Sequence, residues 1–128
     1  MTLQPELLSA IETYFDAIHD CDTDKLNAVF HPNSSLFDGD NGTVFVEPID
    51  SFSRDVGGRV SPASTGQPRE AEVLMIDMLS PLSATVKIRI RAHDIVFVDH
   101  LGFVKGAQGW QIVSKIWHLE RRIAAKVG

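Results

Sequence analysis

The 128-residue sequence has one cysteine, Cys21, and one tyrosine, Tyr14. A lone cysteine closes no internal disulfide, so nothing in the chain calls for an oxidising compartment. The N-terminus lacks a basic segment followed by an apolar run, and the expected location is the cytoplasm. No apolar stretch approaches the roughly 18 residues that span a bilayer, so no membrane association is expected. Basic clusters are also missing. The formal charge is -5, with -8 on residues 1–60 and +3 on the remainder. That balance excludes a nucleic-acid partner, which needs Lys and Arg against phosphate.

Cofactor signatures are lacking as well. The glycines of "DVGGRVSPASTG" match no phosphate-binding loop, and no HExxH or paired-cysteine spacing occurs, so no cofactor and no metal are expected. His93, Asp94, Asp99 and His100 lie close in sequence. Strand alternation nevertheless sends Asp99 and His100 to opposite faces. Cys21 sits in an acidic stretch that disfavours its thiolate.

What remains is 44% hydrophobic and 23% charged, which suits one globular domain over residues 1–128. Leu7, Leu8, Ile11, Tyr14, Phe15 and Ile18 recur at helical spacing and predict a helix over 4–20. A second helix follows, capped by Asp22 or Thr23, with Leu26, Val29 and Phe30 as its apolar stripe. "HP" at 31–32 ends it, because Pro32 disfavours a helical His31. His31 then caps the helix end or bonds a carbonyl. Short strands are expected at Ser34–Phe37 and in "TVFV", with the turn "DGDNG" between them. "PIDSFSRDVGG" reads as a short helix. Long strand signals follow in "REAEVLMIDML", "SATVKIRIRAHDIVFVDHLGFVK" and "GWQIVSKIWHLE", joined by hairpin turns. Helices first and a meander last indicate α+β: N-terminal helices packed on a strongly curved antiparallel sheet, a cone with a central pocket.

Alternation assigns faces if no bulge intervenes. Ile95, Phe97, Asp99, Leu101 and Phe103 share one face. Asp99 is out of place there, because a buried carboxylate is costly unless paired, hydrogen-bonded or protonated. On the last strand Trp110, Ile112, Ser114, Ile116 and His118 alternate against Gln111, Val113, Lys115 and Trp117. Arg89 and Arg91 face Glu70 and Glu72 across the expected hairpin, which reads as a salt-bridged outer surface.

The opening helix, "DCDTDKLNAVFHPNSSLF" and "VDHLGFVKGAQGWQIVSKIW" resemble the nuclear transport factor 2-like superfamily over nearly the whole chain. That superfamily includes ketosteroid isomerases, polyketide-cyclase-like proteins and lumazine-binding-like proteins. "FHP" and "GWQIVSKIW" look most like the last group. "YFDAIHDCDTDKLNAVFHPNSSLFD" is similar, without gaps, to the ketosteroid isomerase segment that runs from the oxyanion-hole tyrosine to the aspartate base. Tyr14 and Asp38 fall on those positions. "VDHLGF" is similar to the segment carrying the second oxyanion-hole acid, and Asp99 falls there.

The resemblance implies catalytic roles for Tyr14, Asp38 and Asp99. Asp38 would move a proton next to a carbonyl, and Tyr14 with a neutral Asp99 would steady the enolate oxygen. Such an enzyme would be a cofactor-independent isomerase, cyclase or lyase. The alternative is a noncatalytic ligand-binding or interaction module. The expected pocket residues are Phe15, Ile18, Phe30, Phe52, Phe97, Leu101, Ser114, Ile116 and His118, around a small apolar or aromatic ligand. A homodimer is expected on the outer sheet face, through Val96, Val98, Val113 and Trp117.

Overall fold

The structure, a computed structural model, describes residues 4–124. Helix α1 (Pro5–Asp20) starts on a proline, whose missing N–H is no loss in a first turn. It ends at Cys21, which adopts the left-handed conformation (φ +50°). Asp22 caps α2 (Thr23–Val29) by accepting the Lys25 N–H at 3.1 Å. Strand β1 (Phe30–Asp38) begins directly afterwards. "HP" therefore lies inside a strand rather than between elements. Pro32 donates no N–H, and the pairing of β1 with its neighbour shifts register between Phe30 and Ser35. The His31 ring nitrogen Nδ1 accepts the Asn33 N–H at 3.1 Å, a local structural contact.

β2 (Phe45–Pro48) and α3 (Ile49–Gly57) follow, and then the long meander of β3 (Ala71–Ser80), β4 (Ser83–Ala92), β5 (Ile95–Gly106) and β6 (Gly109–Arg122). The sheet order is β2-β1-β6-β5-β4-β3. Every neighbouring pair is antiparallel except β1 with β6, which run parallel. The architecture is thus the expected α+β cone, with one parallel seam where the N-terminal hairpin joins the meander.

The helices cover the inner face. Leu7, Ile11, Tyr14 and Phe15 of α1, Leu26 of α2 and Phe52 and Val56 of α3 meet Val86, Ile88, Leu101, Phe103 and Ile112 of the sheet. Outside, Arg89 bonds Glu72 and Arg91 bonds Glu70, at 2.7 and 2.8 Å, as the charge pattern predicts. Arg89 also clasps Glu120 at 2.7 Å.

One irregularity decides which residues face inward. Gly102 pairs with Ser114 but Phe103 pairs with Ile112, so two steps of β6 answer one step of β5. This is a β-bulge, with Val113 as the extra residue. Ile112 is buried, Val113 and Ser114 are not, and Lys115 is buried again. From that point on, the alternation inferred from sequence is inverted. Ser114, Ile116 and His118 turn away from the interior, and Lys115 and Trp117 turn into it. Beside the bulge, Gly102 faces the Ser114 hydroxyl: a Cβ there would stand 2.6 Å from Ser114 Oγ, and the hydroxyl would have to turn aside.

Candidate functional site

The interior of the cone holds a cavity of about 130 Å³. Tyr14 and Ile18 reach it from α1, Glu47 from β2 and Phe52 from α3. Ile90, Ala92, Phe97, Asp99, Lys115 and Trp117 come from the sheet, and Arg59 from the segment after α3. A groove of about 430 Å³ adjoins it, sharing Ile18, Arg59, Ala92 and Phe97 and continuing to Cys21, Val60, Pro62 and His93. Chamber and groove together are of the size that small-ligand sites occupy.

At its polar centre the Tyr14 hydroxyl donates to Asp99 Oδ2 at 2.7 Å. Lys115 Nζ stands 3.7 Å from the same oxygen. Asp99 is 1% exposed and Lys115 6%. The lysine nitrogen also lies 4.6 Å from the centre of the Phe52 ring and 5.3 Å from that of Tyr14, within range of both π-faces. Asp99 Oδ1 is buried without a partner among the described residues. Burial, and then the Asp99 carboxylate, push the Tyr14 phenol well above its ordinary pKa. Burial pulls the Lys115 ammonium down, and Asp99 opposes that fall.

A carboxylate stands across the chamber. Leu36 of β1 pairs with Lys115 on one side and with Glu47 on the other. Lys115 and Glu47 therefore flank Leu36 on one inward row, two strand spacings or roughly 10 Å apart at the backbone. Glu47 accepts the Ser51 hydroxyl at 2.9 Å. Partial burial and the neighbouring Asp55 carboxyl raise its pKa.

Of the residues the sequence nominates, the structure brings Tyr14 and Asp99 into hydrogen-bond contact, with Ile18, Phe52 and Phe97 on the cavity wall. Phe15, Phe30 and Leu101 are core residues that pack behind the wall. Ser114, Ile116 and His118 lie on the other face because of the bulge. Ile116 is 56% exposed, and His118 bonds Asp40 in the β1–β2 turn at 2.7 Å. Trp117, assigned to the outer face by alternation, packs edge-on against Phe97 inside the chamber at 5.9 Å. Asp38 does not line the chamber. It ends β1, and its Oδ1 accepts the Asp40 N–H at 2.9 Å. Sequence reasoning missed Lys115, Glu47 and Arg59. Glu47 carried a faint signal as the acid closing the apolar run "TVFVE".

Among the described residues no three His, Cys, Asp or Glu side chains gather as a metal set. Among the described residues no helix is long and apolar enough to cross a membrane. Burial raises the Cys21 thiol pKa, which leaves it a poor nucleophile.

Residues 4–118 match the family described as "Putative lumazine-binding". The chain belongs to that family. No curated protein matches it significantly. Among solved structures, an NTF-2-like protein of unknown function from Silicibacter pomeroyi superposes with a TM-score of 0.79 at 18% identity, covering 90% of this chain and 93% of the other. An NTF2-like protein of unknown function from Shewanella baltica gives 0.79 at 19%, covering 91% and 92%. A ketosteroid isomerase-like protein from Erwinia carotovora atroseptica gives 0.66 at 14%, covering 93% and 99%. At these identities the similarity establishes the fold, which is that of the nuclear transport factor 2-like superfamily.

Proposed function

We propose that this family member binds a small ring compound bearing a carbonyl group and moves a proton next to that carbonyl. The reading is carried by one observation: a buried Tyr14–Asp99–Lys115 network at the floor of an apolar, aromatic chamber. Desolvating a lysine and a carboxylate is costly, and a structural core gains little from it that packed hydrocarbon would not supply. A site that must meet a polar atom in a dry cavity does gain from it.

The roles differ from those of a phenol and a neutral acid donating side by side. Tyr14 donates its hydrogen bond to Asp99, so Lys115 is the group that meets the carbonyl oxygen. Glu47, across Leu36, is the general base in this reading. Its raised pKa brings it nearer the operating pH, where a carboxylate base works best. An isomerase-like or cyclase-like proton transfer follows, without a cofactor. The test is a screen of conjugated and unconjugated ring ketones, followed by proton exchange in deuterated water. Deuterium entering next to the carbonyl supports the reading. Tight binding of lumazine or a similar heterocycle, with no exchange into any ketone, leaves only the binding function.

The outer sheet face supports a homodimer as a second element of the proposal. It exposes Val104, Val113 and Ile116 on the adjacent strands β5 and β6, an apolar surface that a second copy would cover. Light scattering of wild type and Ile116→Glu tests it: a dimer that the substitution splits supports the interface, and a wild-type monomer at tens of micromolar removes it.

A further inference from the structure

We infer that Lys115 is a nucleophile: its amine forms an imine with an aldehyde or ketone held in the chamber, so the substrate class is a carbonyl compound no wider than one ring. This rests on the binding reading above and goes beyond it by assigning a covalent intermediate.

The geometry supplies what the step needs. Lys115 points into a cavity of about 130 Å³ whose walls are mostly hydrocarbon and aromatic. A dry cavity of about 150 Å³ is known to hold a benzene ring, which sets the size of the reacting end. The adjoining groove accommodates the remainder of a longer molecule. Lys115 makes one polar contact among the described residues, the 3.7 Å approach to Asp99 Oδ2. That is longer than a hydrogen bond, so its nitrogen is not locked in place by donors and acceptors. A lysine desolvated in an apolar pocket is the usual way an amine becomes nucleophilic near neutral pH, and the burial of Lys115 acts in that direction.

The balance closes without an oxidant or a reductant. The Nζ lone pair bonds to the carbonyl carbon, and the C=O π pair moves to oxygen. A proton passes from nitrogen to that oxygen, relayed by the carboxylate of Asp99, and gives the carbinolamine. The nitrogen lone pair then expels the hydroxyl, which takes one further proton from solvent and leaves as water. The product is the protonated imine. Asp99 Oδ1, buried and unpartnered, is placed to accept the carbinolamine hydroxyl or the departing water. The iminium charge sits beside the same carboxylate, which stabilises it. Hydrolysis by the reverse path returns the free amine, so the cycle leaves the protein unchanged.

The test uses the full chain at neutral pH with benzaldehyde as the probe and cyanoborohydride to reduce any imine. Peptide mapping then locates the benzyl group. Quenching of tryptophan fluorescence by benzaldehyde alone reports entry into the chamber, because Trp117 lines it. The expected result is one benzyl group on Lys115, at least about tenfold above the level at an exposed lysine such as Lys25. Lys115→Arg keeps a nitrogen donor at the position but cannot form the imine. It should lose that label. If the fluorescence responds but Lys115 carries no more label than Lys25, the inference is overturned and the binding reading stands. If neither label nor quenching appears, both fall. The mapping on wild-type protein decides the question even if the variant fails to fold.

Discussion

The Tyr14 hydroxyl and Asp99 Oδ2 stand 2.7 Å apart, joining the third turn of α1 to the middle of β5. Both side chains are essentially without solvent contact. A short O–H···O⁻ bond of this kind is among the stronger ones in proteins. It also fixes where the phenolic proton goes. That proton is committed to the carboxylate, and Lys115 is left as the donor a ligand meets.

Alkaline titration should expose this bond. The folded-state pKa of Tyr14 is raised, so the native protein holds the phenolic proton more tightly than the unfolded chain does. Its contribution to stability is full below about pH 10, the unfolded value, and is lost as pH rises through the folded value. Lys115 runs the other way. Its folded pKa is lowered, so its stabilising contribution is full above about pH 10.4 and is lost as pH falls through the folded value. Tyr14 is the sole tyrosine, so tyrosinate absorbance reads it alone. The absorbance should rise together with unfolding rather than before it. A simple titration near pH 10 in folded protein would show a solvated phenol. Tyr14→Phe should cost about 1.5–3 kcal/mol at neutral pH, the worth of a hydrogen bond to a charged group.

Removing one charge of the buried pair should cost far more than removing the whole network. Lys115→Met leaves Asp99 in a 1% exposed site with the tyrosine as its remaining partner. The expected loss is about 3–5 kcal/mol. Tyr14→Phe, Asp99→Leu and Lys115→Met combined leave no polar orphan at the site and should return stability to within about 1 kcal/mol of wild type, or above it. Urea unfolding measures both. A single substitution costing less than about 1 kcal/mol would mean that the charges are hydrated through the chamber.

Much of this arrangement is legible in the sequence. The helical spacing of Leu7, Ile11, Tyr14 and Phe15 named the face that carries the phenol, and an acid among Phe97, Leu101 and Phe103 named its partner. Lys115 was not legible, and the reason is one residue. A strand reads with period two, and an extra residue reverses every assignment after it. Nothing in "WQIVSKIW" marks Val113 as that residue. The bulge is set by its pairing with Gly102 and Phe103 on another strand. Ser114, Ile116 and His118 were assigned inward, and Lys115 and Trp117 outward, for the same cause. Glu47 was hidden differently. Its place beside Leu36 depends on β1–β2 register, which the polar turn between them does not determine.

The β1–β2 turn is tied to β6 by Asp40. Its Oδ1 meets His118 Nδ1 at 2.7 Å and its Oδ2 accepts the Leu119 N–H at 2.9 Å. Those two bonds, the histidine's first, lower the Asp40 pKa. The tie is therefore present above about pH 4, the unfolded carboxyl value, and is lost as pH falls through the depressed folded value. Hydrogen exchange should show the Leu119 amide opening faster in Asp40→Ala while the amides of Val86 and Ile88 keep their protection. Equal protection of Leu119 in both proteins would mean the turn is held by other contacts.

The comparison of Glu47 with Asp38 separates the site as built from the site as read by resemblance. Both are carboxylates on the β1–β2 hairpin. Glu47 lines the chamber opposite Lys115, and partial burial raises its pKa. Asp38 caps its own turn through the Asp40 N–H. A base must come within about 3 Å of the proton it takes, directly or through one water. Geometry therefore favours Glu47. With a ketone that exchanges deuterium in the screen, Glu47→Gln should slow exchange by about 10²- to 10⁴-fold, the range a general base contributes. Ligand binding should change little, because the amide keeps the shape. Asp38→Asn should leave exchange within about twofold of wild type, because a side chain outside the reacting geometry contributes nothing to this step. The reverse pattern, with Asp38→Asn slow and Glu47→Gln normal, would return the base to the end of β1. It would also require the β1–β2 turn to fold over the chamber when ligand enters. Equal loss in both variants would mean that the hairpin acts as a unit in closing the site, and a crystal structure with the ketone bound would then show which carboxylate reaches the carbon.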